Sequence, residues 1–134
     1  FFASTMSIPP GLFSTDWPGS FSNALEPRFV TDYPTRSGYV ITPFVFWAGA
    51  EAEPTANPDE VASIHRIAIT ELLRPNSPRF VDIPESDRSV IQVPVGEDLI
   101  HAPTGAVMYQ FRAVAYEGRD ERVDEYDQPV FAWQ

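Results

Sequence analysis

Residues 57–75, which read NPDEVASIHRIAITELLRP, decide the fold expected for this chain. They open with an Asn-Pro-Asp turn, in which the polar side chains bond to the backbone and proline presets φ. Residues 61–69 then alternate and are rich in β-branched side chains, which predicts a strand. Thr70 is the expected N-cap of a following helix, which Pro75 ends because it lacks the N–H that the helix needs. We therefore expect a strand that runs directly into a helix of one or two turns.

Composition limits the class of protein and its partners. The chain has 134 residues, enough for one hydrophobic core, and a formal net charge of −10 that opposes binding to a nucleic-acid backbone. It has no cysteine, which excludes disulfides and thiolate metal sites. The apolar run at residues 44–50 is too short to span a bilayer. We expect a cytoplasmic protein with neither nucleic acid nor a membrane as partner.

Two parts are expected along the chain. Residues 1–24 are rich in aromatic residues, Ser and Pro, keep no regular period, and predict an arm or irregular segment. Residues 25–134 predict one domain in which strands dominate, with one short helix and one long helix, so the fold class is mixed α/β or α+β. The long helix is expected to start at Thr104 as N-cap and to end at Gly118. The strands expected outside the opening stretch are 28–33, 39–47, 80–83, 89–95, 98–101 and a closing edge strand at 129–133.

Three sets of residues are candidates for chemistry, each with an alternative. Arg36, in a Pro-Thr-Arg-Ser-Gly turn, could present a guanidinium and backbone N–H groups to an anion, or could be an exposed residue of an ordinary hairpin. The acidic loop 117–127 could bind a cation, but a solvated surface with internal ion pairs is the favoured interpretation. His65 and His101 could be ligands or a base, although a structural or surface role is favoured for each.

Four stretches, 32–43, 58–73, 104–116 and 129–133, resemble the C-terminal half of Nudix hydrolases, in particular the coenzyme A pyrophosphatase-like subgroup. The resemblance covers about residues 25–134. It implies a mixed sheet sandwiched with one long and one short helix. It also implies hydrolysis of a pyrophosphate bond in a nucleoside diphosphate derivative, such as coenzyme A or ADP-ribose, with Mg²⁺ or Mn²⁺ as the cofactor.

Site residues can be suggested within this resemblance. The expected substrate contacts are Tyr33, Arg36, Ser37 and Tyr39. Glu60 lies in a loop where some Nudix enzymes place an auxiliary carboxylate, although a solvent-facing pair with its neighbour is the favoured interpretation.

The helix that carries the Nudix box, G-x5-E-x7-R-E-U-x-E-E-x-G-U, is not found in this sequence. Residues 1–24 contain no Glu and no Arg, and a start at Gly49 places Thr55 where the first Glu belongs. Three hypotheses follow: a Nudix hydrolase whose sequence is incomplete here, a catalytically inactive Nudix-like binding module, or an unrelated β-rich interaction domain. The aromatic arm could join two copies of the chain as a homodimer.

Overall fold

The computed structural model of the protein describes residues 3–7, 32–43 and 53–133, the first of these by its backbone alone. Helices and strands are mixed, so the fold is α+β. The strands are β1 (Ala3–Ser7), β2 (Tyr33–Pro34), β3 (Val40–Ile41), β4 (Ile64–Ala68), β5 (Arg79–Val81), β6 (Val90–Val95) and β7 (Asp98–His101). The helices of the described residues are α1 (Thr104–Phe111), a π-helical turn (Arg112–Tyr116) that continues it, and the 3₁₀ helices Ile69–Leu73 and Val130–Ala132. Outside the described residues lie positions 28–31 of the expected strand 28–33, positions 44–47 of the expected strand 39–47, and arm residues 1–2 and 8–24.

The centre of the fold is an antiparallel sheet in the order β5-β6-β7. Strand β6 is the middle strand, and its apolar residues Ile91 and Val93 are almost fully buried. These two residues are two positions apart and so share one face of the strand. They belong to two core clusters, one with Ala106 of α1 and one with Met108 of α1. The predicted strands at 80–83, 89–95 and 98–101 are confirmed with small changes at their ends.

Helix α1 lies very close to β7. A Cβ atom added to Gly105 would stand 2.4 Å from the carbonyl oxygen of Ile100, closer than any side chain can approach. Glycine is therefore needed for this close packing. The helix begins one residue earlier than expected, because Pro103 and not Thr104 is its N-cap and Thr104 is already its first helical residue. Gly118 has a φ of 64°, the left-handed conformation expected just after a helix end.

The predicted join of a strand to a short helix is present, with a different cap. Strand β4 ends at Ala68, and the 3₁₀ helix Ile69–Leu73 follows without an intervening loop. Ala68 is the N-cap, and no side chain caps the helix, so the prediction of Thr70 as N-cap is wrong. Leu72 is 1% exposed and packs in the cluster that contains Met108. Burial of this leucine, rather than capping, holds the helix on the sheet.

Two further predictions about local structure are corrected. Residues 129–133 do not form an edge strand, since the 3₁₀ helix Val130–Ala132 turns the chain, with the Ala132 N–H bonded to the Pro129 carbonyl at 2.8 Å. Residues 3–7, expected to be irregular, form β1, which pairs with β4 in parallel along its whole length. The division of the chain into an arm and a domain stays a prediction. Within the described ranges, no helix combines the length and apolarity that a membrane crossing requires.

Candidate functional site

A short hairpin presents the turn that the sequence singles out. Strands β2 and β3 pair, and between them the Thr35 hydroxyl donates to the Tyr39 carbonyl at 2.9 Å and accepts from the Tyr39 N–H at 3.0 Å. Gly38 takes a φ of 85°, which closes the turn. The hairpin therefore holds Arg36 and Ser37 at its tip in a fixed backbone conformation.

The Arg36 side chain forms an ion pair with a buried carboxylate. Its Nε donates to Asp127 Oδ1 at 2.9 Å, and its Nη2 donates to the other carboxylate oxygen of Asp127. Nη2 also donates to the Ser86 hydroxyl at 3.2 Å. Asp127 is 4% exposed, whereas 44% of the Arg36 side chain is exposed. The pair therefore joins a surface guanidinium to an acid inside the fold.

Asp127 is stabilised as a carboxylate. The Arg36 hydrogen bond lowers its pKa to about 2, against the opposing effect of burial. The Ser86 hydroxyl donates to Oδ2 at 2.7 Å, and the backbone N–H of Gln128 donates to Oδ1 at 2.9 Å. The same pair raises the pKa of Arg36, chiefly through the side-chain hydrogen bond. Asp127 is therefore ionised, and hydrogen bonds from three residues compensate for its burial.

The C-terminal segment completes the surroundings of Arg36. The ring of Trp133 lies 4.5 Å from the guanidinium carbon, a cation–π contact. Its indole N–H donates to the Gln128 carbonyl at 2.8 Å, and the backbone N–H of Arg36 donates to the Gln128 side-chain oxygen at 2.7 Å. The hairpin and the segment 127–133 are thus connected at several points. We call Arg36, Ser86, Asp127, Gln128 and Trp133 the Arg36 cluster.

The four predicted substrate contacts lie in different environments. Tyr33 is 1% exposed and its hydroxyl donates to the Tyr126 carbonyl at 2.9 Å, so its ring belongs to the core and not to an accessible site. Burial is the largest cause that raises the pKa of Tyr33 to about 12. Tyr39 is 73% exposed, and the Ser37 hydroxyl is bonded to that of Thr35 at 3.0 Å. The hairpin thus brings Arg36, Ser37 and Tyr39 to the surface and turns Tyr33 inward.

Sequence reasoning missed the partners of Arg36. Asp127 is one acid among six within residues 117–127, and Ser86 lies in a different turn. Asp127 is 91 positions from Arg36, and no local pattern marks it. The nearest signal is its position next to Gln128 and before Pro129, at the end of the acidic loop, but that signal predicts a turn and not a buried ion pair.

Glu60 lies in an exposed turn. The Asp59 N–H bonds to the Asn57 side-chain oxygen at 3.2 Å, and the Asn57 amide reaches the Glu60 carboxylate at 3.4 Å. Asp59 and Glu60 are both exposed. Across residues 32–43 and 53–133, no three His, Asp or Glu side chains are grouped so that they could hold a metal ion. A role for Glu60 stays a prediction.

The acidic loop is internally paired, as the favoured interpretation predicts. Glu117 accepts from Arg112 Nε at 2.7 Å and from Arg119 Nη2 at 3.0 Å. Arg122 forms a two-point pair with Asp124, with both distances 3.1 Å. Arg119 and Arg122 therefore each pair with acidic neighbours within this segment.

Both histidines have nearby partners in the fold. His65 lies 2.7 Å from the Ser63 hydroxyl through Nε2. His101 Nε2 lies 3.1 Å from the Gln92 amide nitrogen, and its ring meets that of Phe131 edge-on at 5.5 Å. These contacts fit the structural or surface role that the sequence favours for each histidine.

Comparison with protein-family models, with curated proteins and with solved structures found no match for this chain. The fold defines the class as an α+β protein with a three-stranded antiparallel sheet at its centre.

Proposed function

We propose that this protein is a Nudix-type hydrolase that cleaves a pyrophosphate bond in a nucleoside diphosphate derivative of the coenzyme A or ADP-ribose kind. The observation that carries the proposal is the direct join of β4 to the 3₁₀ helix Ile69–Leu73. The sheet β5-β6-β7 and helix α1 follow in the chain, and α1 packs on β6 and β7. A strand with a short helix, followed by a late helix on the sheet, is the arrangement that the resemblance implies for this part of a Nudix domain.

The reaction needs a divalent cation, because a hard cation neutralises the diphosphate and lowers the pKa of a bound water. Mg²⁺ and Mn²⁺ prefer carboxylate oxygens as protein ligands. The described acids do not form a three-ligand group that fits such an ion, so no metal ligand is assigned. We propose that the described part of the chain supplies the scaffold of the enzyme and binds the substrate.

Turnover tests the proposal directly. The full chain is incubated with coenzyme A or ADP-ribose and with Mg²⁺ or Mn²⁺, and the products are followed by ³¹P NMR. Hydrolysis converts the diphosphate resonances into those of two phosphate monoesters, and EDTA stops the conversion. A rate no greater than that of the metal without protein contradicts the enzyme hypothesis for this chain.

Glu60 offers a test at the level of one residue. If its carboxylate contributes to catalysis, Glu60→Gln lowers kcat by roughly a hundredfold, the lower end of what a positioned acid or base supplies. Asp59→Asn is the matched control, because both residues are exposed in the same turn. Equal rates for the two variants and the unmodified chain show that Glu60 faces solvent without a catalytic role.

A catalytically inactive Nudix-like binding module is the second candidate. It is favoured by Tyr39, whose ring is 73% exposed at the tip that also carries Arg36. An exposed aromatic ring beside a cation can stack on a base while the cation binds a phosphate. Calorimetric binding of coenzyme A without turnover, weakened at least fivefold by Tyr39→Ala, supports this candidate over the enzyme.

The third hypothesis, an unrelated β-rich interaction domain, has no ligand of this kind. It keeps the prediction that residues 1–24 join two copies of the chain. Sedimentation equilibrium of the full chain measures this directly, since a monomer at micromolar concentration contradicts the homodimer.

A further inference from the structure

The guanidinium of Arg36 is fixed on two sides. Asp127 holds its Nε and Nη2 atoms, and Ser86 adds a second acceptor for Nη2. Trp133 lies against the guanidinium. A free arginine side chain must lose considerable rotational freedom to bind an anion, but here these contacts already restrict the group.

One edge of the same group is left for a ligand. Among the residues that the structure describes, no hydrogen bond is made by the Nη1 atom of Arg36, and 44% of the side chain is exposed. Asp127 and Ser86 therefore use the Nε–Nη2 side of the guanidinium, and no other described residue forms a hydrogen bond with the Nη1 side. The Ser37 hydroxyl lies in the same turn, where it is hydrogen-bonded to the Thr35 hydroxyl.

We infer that Arg36 binds a phosphate oxygen of a diphosphate ligand through Nη1, and that Asp127, Ser86 and Trp133 are positioning residues that aim it. The inference rests on the proposed function for the class of ligand. The anion contact thereby belongs to one atom of Arg36, and three residues that the sequence does not mark orient that atom. Arg36 thereby serves both as a connection between hairpin and C-terminal segment and as a binding group.

The charges around Arg36 determine how an anion can bind to it. The chain carries a formal net charge of −10, and Asp127 neutralises Arg36, so long-range attraction of an anion is weak. Asp87 also acts on the charge of Arg36, since it contributes to the raised pKa of the guanidinium. Binding must therefore come from a directed, charge-assisted hydrogen bond at short range. A ligand that brings a Mg²⁺ ion with it offsets the remaining repulsion.

The chain supplies a matched control in Arg122. This arginine also donates through Nε and Nη2 to one aspartate, Asp124. It differs in that 67% of its own side chain and 32% of the Asp124 side chain are exposed. Arg122 thus has the same two-point pair without a buried acid behind it.

Inorganic pyrophosphate, with and without Mg²⁺, is the probe. The arginine side-chain Nε–H signals of the ¹⁵N-labelled full chain are recorded during a titration, with Arg36→Lys and Arg122→Lys identifying the two signals. We expect the Arg36 signal to shift with added pyrophosphate and the Arg122 signal to stay in place. Arg36→Lys, which cannot keep the two-point pair and a free edge together, is expected to weaken pyrophosphate binding roughly tenfold, the loss of about one charge-assisted hydrogen bond.

The positioning role is tested separately. Asp127→Asn keeps the shape of the side chain and removes the charge, so the Arg36 signal should move toward that of an unrestrained arginine and its shift with pyrophosphate should become smaller. Thermal denaturation of each variant shows whether it is folded at the titration temperature. For any variant that is not, the titration is repeated on Ser86→Ala, which removes one acceptor while leaving the carboxylate.

Two results overturn the inference: pyrophosphate that fails to shift the Arg36 signal of the unmodified chain, and equal affinity for the unmodified chain and Arg36→Lys. Failure of the proposed function looks different, because binding of pyrophosphate at Arg36 without hydrolysis of coenzyme A or ADP-ribose defeats the enzyme alone. Conversely, turnover that Arg36→Lys leaves unchanged, in both kcat and KM, defeats this inference and keeps the enzyme.

Discussion

Asp127 is the residue whose environment departs most from what its sequence context suggests. An aspartate at the end of an acidic loop is ordinarily solvated, but this one is 4% exposed and accepts hydrogen bonds from Arg36, Ser86 and the Gln128 backbone. Removing the charge leaves the guanidinium with a weaker acceptor, and the effect should be visible in the pH dependence of stability.

The free energy of unfolding should therefore depend on the ionisation of Asp127. Its folded pKa, about 2, lies below the ordinary value of 3.8. The stabilisation is complete above about pH 4 and is lost as the pH falls through 2, and it amounts to roughly 2 kcal/mol. Urea denaturation of the unmodified chain and of Asp127→Asn from pH 6 to pH 2.5 should show a difference that shrinks in acid. Asp59→Asn, in an exposed turn, should show no such change.

Tyr33 gives a second prediction for a single atom. Tyr33→Phe keeps the buried ring and removes the hydroxyl that donates to the Tyr126 carbonyl at 2.9 Å. We expect a loss of about 1 kcal/mol in the free energy of unfolding, because the carbonyl loses its partner in a partly buried place. Tyr39→Phe is the control, since that side chain is 73% exposed. Equal losses for the two variants, measured by urea denaturation, would contradict the assignment of Tyr33 to the core.

Residue-level prediction from the sequence succeeds where the signal is local. The Arg36 turn and the paired arginines of the acidic loop follow from neighbouring residues, and the positive φ of Gly118 follows from its place after a helix. The Arg36–Asp127 pair depends on how two distant segments pack, which no local pattern encodes. For the same reason, the burial of Tyr33 could not be told from its flanking residues.

At the scale of the elements, the strand-to-helix join was predictable. The alternation of residues that is typical of a strand gives way within a few residues to a pattern that is typical of a helix. The cap was not predictable, since the helix is of the tighter 3₁₀ type and starts directly at the end of β4. A 3₁₀ helix this short is held by the burial of its apolar side chains more than by its ends. The prediction of a closing edge strand was wrong because the Trp133 indole N–H donates back to the Gln128 carbonyl, so the segment turns instead of extending.

Two substitutions in this helix separate burial from capping. Leu72→Ala removes a side chain that is 1% exposed and should cost about 2–5 kcal/mol, the usual effect of a cavity in a core. Thr70→Ala should change stability by less than about 0.5 kcal/mol, because Thr70 is exposed and Ala68 is the N-cap. Thermal or urea denaturation measures both, and a loss near 1 kcal/mol for Thr70→Ala would restore it as a cap.

At the scale of the whole molecule, the described residues form a sheet from consecutive strands and several contacts between segments that are far apart in the sequence. The parallel pairing of β1 with β4 joins residues about sixty positions apart, from Ala3 with Ile64 to Ser7 with Ala68. The sheet β5-β6-β7 is instead built from strands that follow one another. Composition and periodicity predicted the fold class and the sheet of consecutive strands. The β1–β4 ladder is a long-range pairing that no pattern in residues 1–24 predicts.

The parallel pairing predicts a separable loss of protection. Thr5→Pro removes one N–H from the middle of β1 and should disrupt its ladder with β4, whereas Thr5→Ala keeps the N–H. Hydrogen–deuterium exchange followed by mass spectrometry should show faster exchange at residues 64–68 in the proline variant alone. Protection at residues 90–95, in the middle of the other sheet, should be unchanged, and loss at both places would mean that the two sheets open together.

The order of these contacts along the chain has a kinetic consequence. Residues 79–111 contain β5, β6, β7 and α1 as consecutive neighbours, so their contacts close short loops and can form early during folding. The Arg36–Asp127 pair closes a loop of 91 residues and should form after the rate-limiting step. Asp127→Asn should then speed unfolding in a stopped-flow chevron while leaving the refolding rate nearly unchanged. The pair between Arg36 and the buried Asp127 would thus lengthen the lifetime of the folded molecule without changing how quickly it folds.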